Sequence, residues 1–164
     1  VISRIMHDLG ILETAFARIV LGVAVLEDVL LGEVWLCGGQ SNMEWPMRLT
    51  YEAEKELAKT DNPQVRLYTV PKLKALTPTN NVPSKWELST PATTPGFSAV
   101  GWYFGRDLAR ALGVPVGIIH TSWGGSPAEV WMSEAALTGN PGYKKDIIDN
   151  MNRVYESGER QKDK

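Results

Sequence analysis

Two short apolar runs, each leading towards a glycine pair, constrain this chain more than any other feature. Val34-Trp35-Leu36-Cys37 runs into Gly38-Gly39, and Val116 to Ile119 leads through His120-Thr121-Ser122-Trp123 to Gly124-Gly125. Each apolar run reads as a buried strand. Ahead of the second lies Ser98 to Leu112, where Val100, Tyr103, Phe104, Leu108, Ala111 and Leu112 recur at helical spacing. Gly113 stands at its C-cap, and Pro115 follows where a helix has already stopped. Strand, helix, strand with these lengths demands a crossover. The expectation is therefore an α/β fold with a parallel sheet. Such sheets carry their sites at the carboxyl ends of strands.

The remaining pattern fits that class. Thr50 to Lys59 is charged and helix-forming, and Gln64 to Val70 alternates as a strand does. Residues 71–95 hold five prolines and read as a long surface loop, with Lys85-Trp86-Glu87-Leu88 a short extended piece inside it. Ile147, Met151 and Val154 predict a helix over 143–155, and Glu156 to Lys164 is a charged, solvated end. With 43% hydrophobic and 22% charged residues the chain is not of the disordered class. A net charge of -2 leaves no electrostatic footprint for nucleic acid. Cys37, the single cysteine, permits neither an internal disulfide nor a cysteine metal cluster.

Candidate chemistry sits at the two strand ends. Ser41, in Gln40-Ser41-Asn42-Met43-Glu44-Trp45, follows the first strand after small residues. A nucleophile placed there holds its hydroxyl clear of the sheet and aims its N–H at a developing oxyanion; the plainer alternative is a helix N-cap. The Gly124-Gly125 pair lets backbone N–H groups face an anion because no Cβ blocks the approach, or it is simply a tight turn. Trp123 and Trp131 are either sugar-facing walls or packing residues. Glu129 either orients a substrate hydroxyl or caps the next helix.

Residues 1–32 differ in kind. They contain no Trp, Pro, Tyr or Cys, whereas all six Trp, ten Pro and five Tyr lie beyond them. They lack the basic start, continuous apolar core and small-residue site of a signal peptide. Only Ile19 to Leu26 is an uncharged run, short of the ~20 residues of a membrane span. The residue-level reading is an amphipathic helix. The stretch Ile2-Ser3-Arg4 to Leu31 also resembles part of the membrane domain of monovalent cation:proton antiporters, with Glu27 and Asp28 at the position of an ion-handling acidic pair. That resemblance implies a helical antiporter-like segment over 1–31 and a fused junction near 28–32, with a membrane partner only if the segment is genuine.

From Gly32 to about Leu137 the chain resembles the sialate O-acetylesterases, a branch of the SGNH-type hydrolases. The blocks that carry the likeness are GEVWLCGGQSNMEWPM at 32–47, the W-x-L-S-x-P piece at 86–91, FSAVGWYFGRDLARAL at 97–112 and VPVGIIHTSWGGSPAEVWMS at 114–133. The resemblance implies a three-layer αβα sandwich, incomplete in this chain, over 32–164. It implies hydrolysis of O-acetyl esters on carbohydrates, no metal or organic cofactor, and an exported (periplasmic or secreted) protein. Carried over by position, Ser41 is the nucleophile. The N–H groups of Ser41 and Gly125 are the oxyanion donors, Gly124 sets the turn, and Gln40, Asn42, Trp123, Glu129 and Trp131 face the substrate.

One departure matters. The family takes its general base from an Asp-x-x-His pair, and these 164 residues contain none. Asp61, Asp107, Asp146, Asp149 and Asp163 have no histidine three residues on, and no histidine follows His120. His120 itself reads as a structural or rim residue rather than a base. An unassisted serine is a weak nucleophile, so the expectation is an esterase piece with little turnover alone. The alternatives are a non-catalytic sugar binder and a membrane-associated fragment.

Overall fold

The computed structural model describes residues 17–21, 24–73, 79, 81–143 and the single positions 147, 149 and 153. These divide into two units, one formed by 1–72 with 81–124 and the other by 73–80 with 125–164.

The first unit is built on strands β1 (Ala17–Leu21), β2 (Ala24–Val29), β3 (Glu33–Gly39), β4 (Asn62–Thr69), β5 (Trp86–Ser89) and β6 (Val116–Ser122). Its helices are α1 (Ser41–Glu44), α2 (Ala53–Leu57) and α3 (Ala99–Leu112), with a 3-10 turn over Met47–Leu49. Four strands form one sheet in the order β3-β6-β4-β5. β6 is parallel to both β3 and β4, as the crossover rule requires. β5 pairs with β4 antiparallel. The sheet is therefore mixed rather than purely parallel. Cys37 and Thr69 both stand in register with His120, and Gly39 with Ser122. The carboxyl ends of three parallel strands thus meet in one place.

β6 runs three residues further than its apolar core suggests, which takes His120, Thr121 and Ser122 into the strand. Its burial alternates, with Val116, Ile118, His120 and Ser122 buried. Those residues face α3. Ser98 caps α3 by accepting from the Gly101 N–H at 3.1 Å, and Gly113 ends it at φ 67°. The helix has the expected length but a different buried face. Ala99, Gly101, Trp102, Gly105 and Ala109 are buried, while Val100, Phe104 and Leu112 are exposed. The cause is close approach: a Cβ on Gly105 would lie 2.7 Å from the Ile118 side chain. Small residues let the backbone sit on the strand, and the large ones turn outward.

Met43, Leu57, Tyr103 and Leu108 pack around this core, which places α1 and α2 on the same side of the sheet as α3. Among the described residues of this unit no helix covers the opposite face. Two layers of the expected three are seen. Val34 and Leu36 on that face are 60% and 69% exposed, so β3 is an edge strand rather than the buried strand its composition suggested. An apolar edge of this kind templates association. Leu36→Lys is expected to raise the monomer fraction in size-exclusion chromatography, with stability changed by only about 0.5 kcal/mol. An unchanged oligomer distribution would contradict this.

Ahead of β3 the expected helix is absent where residues are described. β1 and β2 form an antiparallel pair, with Ala17 opposite Val29 and Leu21 opposite Ala24. Ile19, Val20, Val25 and Val29 are β-branched, and that preference prevails over helical spacing. Residues 1–16 lie outside the described set. Asp28 has φ 56°, and its Oδ1 accepts from Arg66 Nη2 at 3.0 Å. Among the described residues no helix is long and apolar enough to cross a membrane.

The predicted helix over 50–59 shrinks to α2, because Glu52 takes a left-handed conformation (φ 51°) just before it. In the second unit a 3-10 turn spans Ala128–Trp131, followed by α4 (Glu134–Thr138) and α5 (Pro141–Tyr143). The helix expected over 143–155 lies mostly outside the described residues.

Candidate active site

β3 ends in Gly39, whose φ of 152° suits glycine and whose absent Cβ leaves room for Met43. The chain then turns into α1. Gln40 occupies the N-cap and makes no side-chain cap bond, so Ser41 is the first helical residue and not a cap. Ser41 is exposed. Its hydroxyl makes no hydrogen bond among the described residues. The serine therefore stands at a strand end with a free hydroxyl, at the start of a helical turn.

The second glycine turn lies against it. A Cβ placed on Gly124 would be 3.6 Å from both Cα and Cβ of Ser41. The Trp123 N–H donates to the Gly39 carbonyl at 3.0 Å and ties the two strand ends together. The Gly124 N–H donates to Glu44 Oε2 at 2.5 Å. Glu44 is also hydrogen-bonded and ion-paired to Lys72, whose ammonium lies 5.7 Å from the centre of the Trp123 ring.

Glu44 is the residue that sequence reasoning missed. A signal was present: Ser41 and Glu44 are three apart on a single helical turn, so they share one side of it. The carboxylate clamps the Gly124 turn against the serine. The hydrogen bond from Lys72 holds its pKa below the ordinary 4.5, aided by the Gly124 N–H and opposed by burial. A lowered carboxylate pKa gives a contact that is complete above the ordinary value and lost as pH falls through the lowered one. The Gly124 amide resonance is expected to hold steady from neutral pH down to about 5 and to shift only below that. Glu44→Gln should abolish the shift. Movement of that resonance around neutral pH would contradict the clamp.

His120 is buried, and its Nε2 lies 2.5 Å from Ser122 Oγ. Among the described residues its Nδ1 has no hydrogen-bond partner, and no carboxylate fixes the ring as a triad aspartate does. Burial lowers its pKa below the ordinary 6.5, with Glu44 opposing and Lys72 reinforcing. Its ring packs edge-on against Phe97, with the centroids 5.4 Å apart. An open cleft of about 470 Å³ joins Ser41 to Glu44, Trp45, Arg48, Lys72 and His120.

Asn42 and Gln40 are exposed beside Ser41. Gly125, at φ 76°, belongs to the second unit, as do Glu129 and Trp131. The Trp131 Nε1–H donates to Ser126 Oγ at 2.8 Å and braces its own loop. The following helix is capped by Ser133, which accepts from the Ala136 N–H, so Glu129 does not cap it.

Ser41 thus stands at a parallel strand end, packed against the Gly124 turn. The family described as "Carbohydrate esterase, sialic acid-specific acetylesterase" matches residues 31–160. The chain belongs to this family. Sialate O-acetylesterase of Rattus norvegicus is 40% identical over 121 residues, covering 68% of this chain and 22% of that protein. The Homo sapiens sialate O-acetylesterase is 40% identical over 121 residues, covering 68% and 23%. A crystal structure of a carbohydrate acetylesterase from Xanthomonas citri aligns with a TM-score of 0.68 and 40% identity, covering 70% of this chain and 27% of that one. The chain thus spans less than a quarter of the length of these sialate O-acetylesterases. The acetylesterase match begins at residue 31, and the antiporter likeness of the preceding residues finds no support in the described hairpin.

Proposed function

We propose that the chain is the serine-bearing part of a carbohydrate O-acetylesterase, with Ser41 as its nucleophile. The observation that carries this is the free, exposed Ser41 hydroxyl at the end of β3, packed against Gly124 in an open cleft. The substrate class is an acetylated carbohydrate. Ser41 Oγ attacks the acetyl carbonyl and its proton passes to a base. The ester C–O bond breaks, and the sugar hydroxyl leaves carrying a proton. Water then cleaves the acetyl-serine to acetate and regenerates Ser41. The N–H group of Ser41 serves the oxyanion in this reading. Gly124 sets the turn, since Glu44 already holds its N–H. The complete domain is the three-layer αβα sandwich of SGNH hydrolases, of which the described residues supply the sheet and one helical layer.

The base is the missing element. The chain has no Asp-x-x-His pair, and the loss of general-base help lowers acyl transfer by roughly 10²–10⁴-fold. Acetate release from an O-acetylated sugar is therefore slow for the chain alone and rises when imidazole is supplied as an external base. If imidazole releases acetate no faster with the chain than in buffer, Ser41 is not a nucleophile. Sugar binding without release then favours a non-catalytic carbohydrate binder.

A further inference from the structure

His120 and Ser122 lie two apart on β6, so their side chains share one face of the sheet, and each is 7% exposed. Both line the cleft that holds Ser41. Their contact, His120 Nε2 to Ser122 Oγ, can run either way, and its direction decides where the serine hydrogen points.

The other ring nitrogen indicates the direction. Nδ1 is buried and has no hydrogen-bond partner among the described residues. A hydrogen there would be a buried donor without an acceptor, at the full cost of its lost hydration. Backbone groups show that a bare N–H is tolerated less often than a bare acceptor. Burial also works against the charged ring, which would carry a hydrogen on both nitrogens. The hydrogen therefore belongs on Nε2 and is donated to Ser122 Oγ. Ser122 Oγ makes no other hydrogen bond among the described residues. Its own O–H is left to point into the cleft.

The cleft has a use for such a donor. Glu44 already holds the Gly124 N–H, which leaves the Ser41 N–H for the oxyanion. Developing charge is best met by several donors fixed beforehand. The Trp45 Nε1–H is spent on the Leu49 carbonyl and Lys72 on Glu44, while Arg48 and Thr69 are exposed. Ser122 is buried, is held by His120, and stands in register with Gly39, two residues before Ser41.

We propose that the Ser122 hydroxyl is a catalytic donor to the acetyl oxygen as that oxygen gains charge, and that His120 is the positioning residue that aims it. This rests on the esterase reading and adds a side-chain donor to its site. Ser41 Oγ bonds to the acetyl carbon, and the carbonyl electron pair moves onto oxygen. The Ser41 proton passes to imidazole supplied in solution. The leaving oxygen departs as the carbonyl re-forms, and Ser122 keeps its hydrogen throughout.

Two measurements test this. The first is a long-range proton–nitrogen NMR correlation on the unaltered chain at about pH 8, above the ordinary imidazole pKa of about 6.5. It reads which nitrogen of His120 carries the hydrogen. Nε2 is expected, and a hydrogen on Nδ1 overturns the proposal. The second follows acylation of Ser41 by peptide mass spectrometry, with imidazole constant, using para-nitrophenyl acetate and its thionoacetate analogue. Sulfur accepts hydrogen bonds weakly. Ser122→Ala should therefore slow acetylation by about 10²-fold, the scale of one lost oxyanion donor, and thioacetylation far less. Partial unfolding of the variant would lower both rates alike and leave their ratio unmoved. Equal slowing of the two makes Ser122 merely structural and overturns the proposal, as does unchanged acetylation; the esterase reading survives either result. If Ser41 of the unaltered chain takes up no acyl group, the esterase reading fails and this proposal fails with it.

Discussion

Ser41→Ala is expected to reduce imidazole-supported acetate release to the rate of imidazole in buffer. The expectation follows from position. Ser41 has the only hydroxyl at the end of β3, and the Gly124 turn packs on its Cα and Cβ. Removing a nucleophile from a complete serine hydrolase costs about 10⁶-fold in turnover. The lack of a base already lowers this chain by roughly 10²–10⁴-fold. Imidazole stands in for the base, so the release above that of imidazole in buffer is the serine-dependent part and is lost with the hydroxyl. The substitution removes one exposed oxygen without a hydrogen-bond partner, so the melting temperature should not move. Activity and stability therefore separate in this variant. Persistent release by Ser41→Ala would assign the chemistry to another group.

Trp102→Ala acts on the fold instead. Trp102 is fully buried, and its Nε1–H donates to Ser89 Oγ at 2.8 Å. Ser89 Oγ in turn donates to the Thr60 carbonyl at 2.7 Å, which joins α3, β5 and the end of α2 through one indole. On the outer side Arg106 lies 5.1 Å from the ring centre. Truncating a buried tryptophan costs about 3–5 kcal/mol, against a total stability of about 5–15 kcal/mol for an ordinary domain. Much of that margin goes. Trp102→Phe keeps most of the volume but leaves Ser89 without its donor, a loss of about 1 kcal/mol for the hydrogen bond. Denaturant titration followed by circular dichroism should rank unaltered chain, Trp102→Phe, Trp102→Ala in falling order. A Trp102→Ala midpoint equal to that of the unaltered chain would show that this core does not hold the sheet.

The strands and the crossover were legible because their residues carry the signal themselves. Val34 to Cys37 and Val116 to Ile119 are apolar runs stopped by polar or glycine residues, and Ser98 and Gly113 mark both ends of α3. What faced what was less legible. Spacing placed Phe104 and Leu112 inward, yet Gly101, Gly105 and Ala109 face β6, because a helix that packs closely needs small residues there. A pattern of large apolar residues cannot show that contact. The hairpin of β1 and β2 was read as a helix because short apolar runs suit either form, and β-branching decided the matter.

At the site, Ser41 and Gly124 were legible as two strand ends, since parallel neighbours bring their carboxyl ends together. Glu44 was not, because its partners Gly124 and Lys72 are distant in sequence and meet only in the folded sheet.

The central claim is that Ser41 accepts an acyl group. The most direct measurement is peptide mass spectrometry of the chain after exposure to an activated acetyl ester at neutral pH. Without a base to promote deacylation, acetyl-serine should accumulate. One acetyl group is expected on the peptide containing Ser41, and none on that peptide from Ser41→Ala. Acetylation confined to lysines, or equal in both proteins, would contradict it.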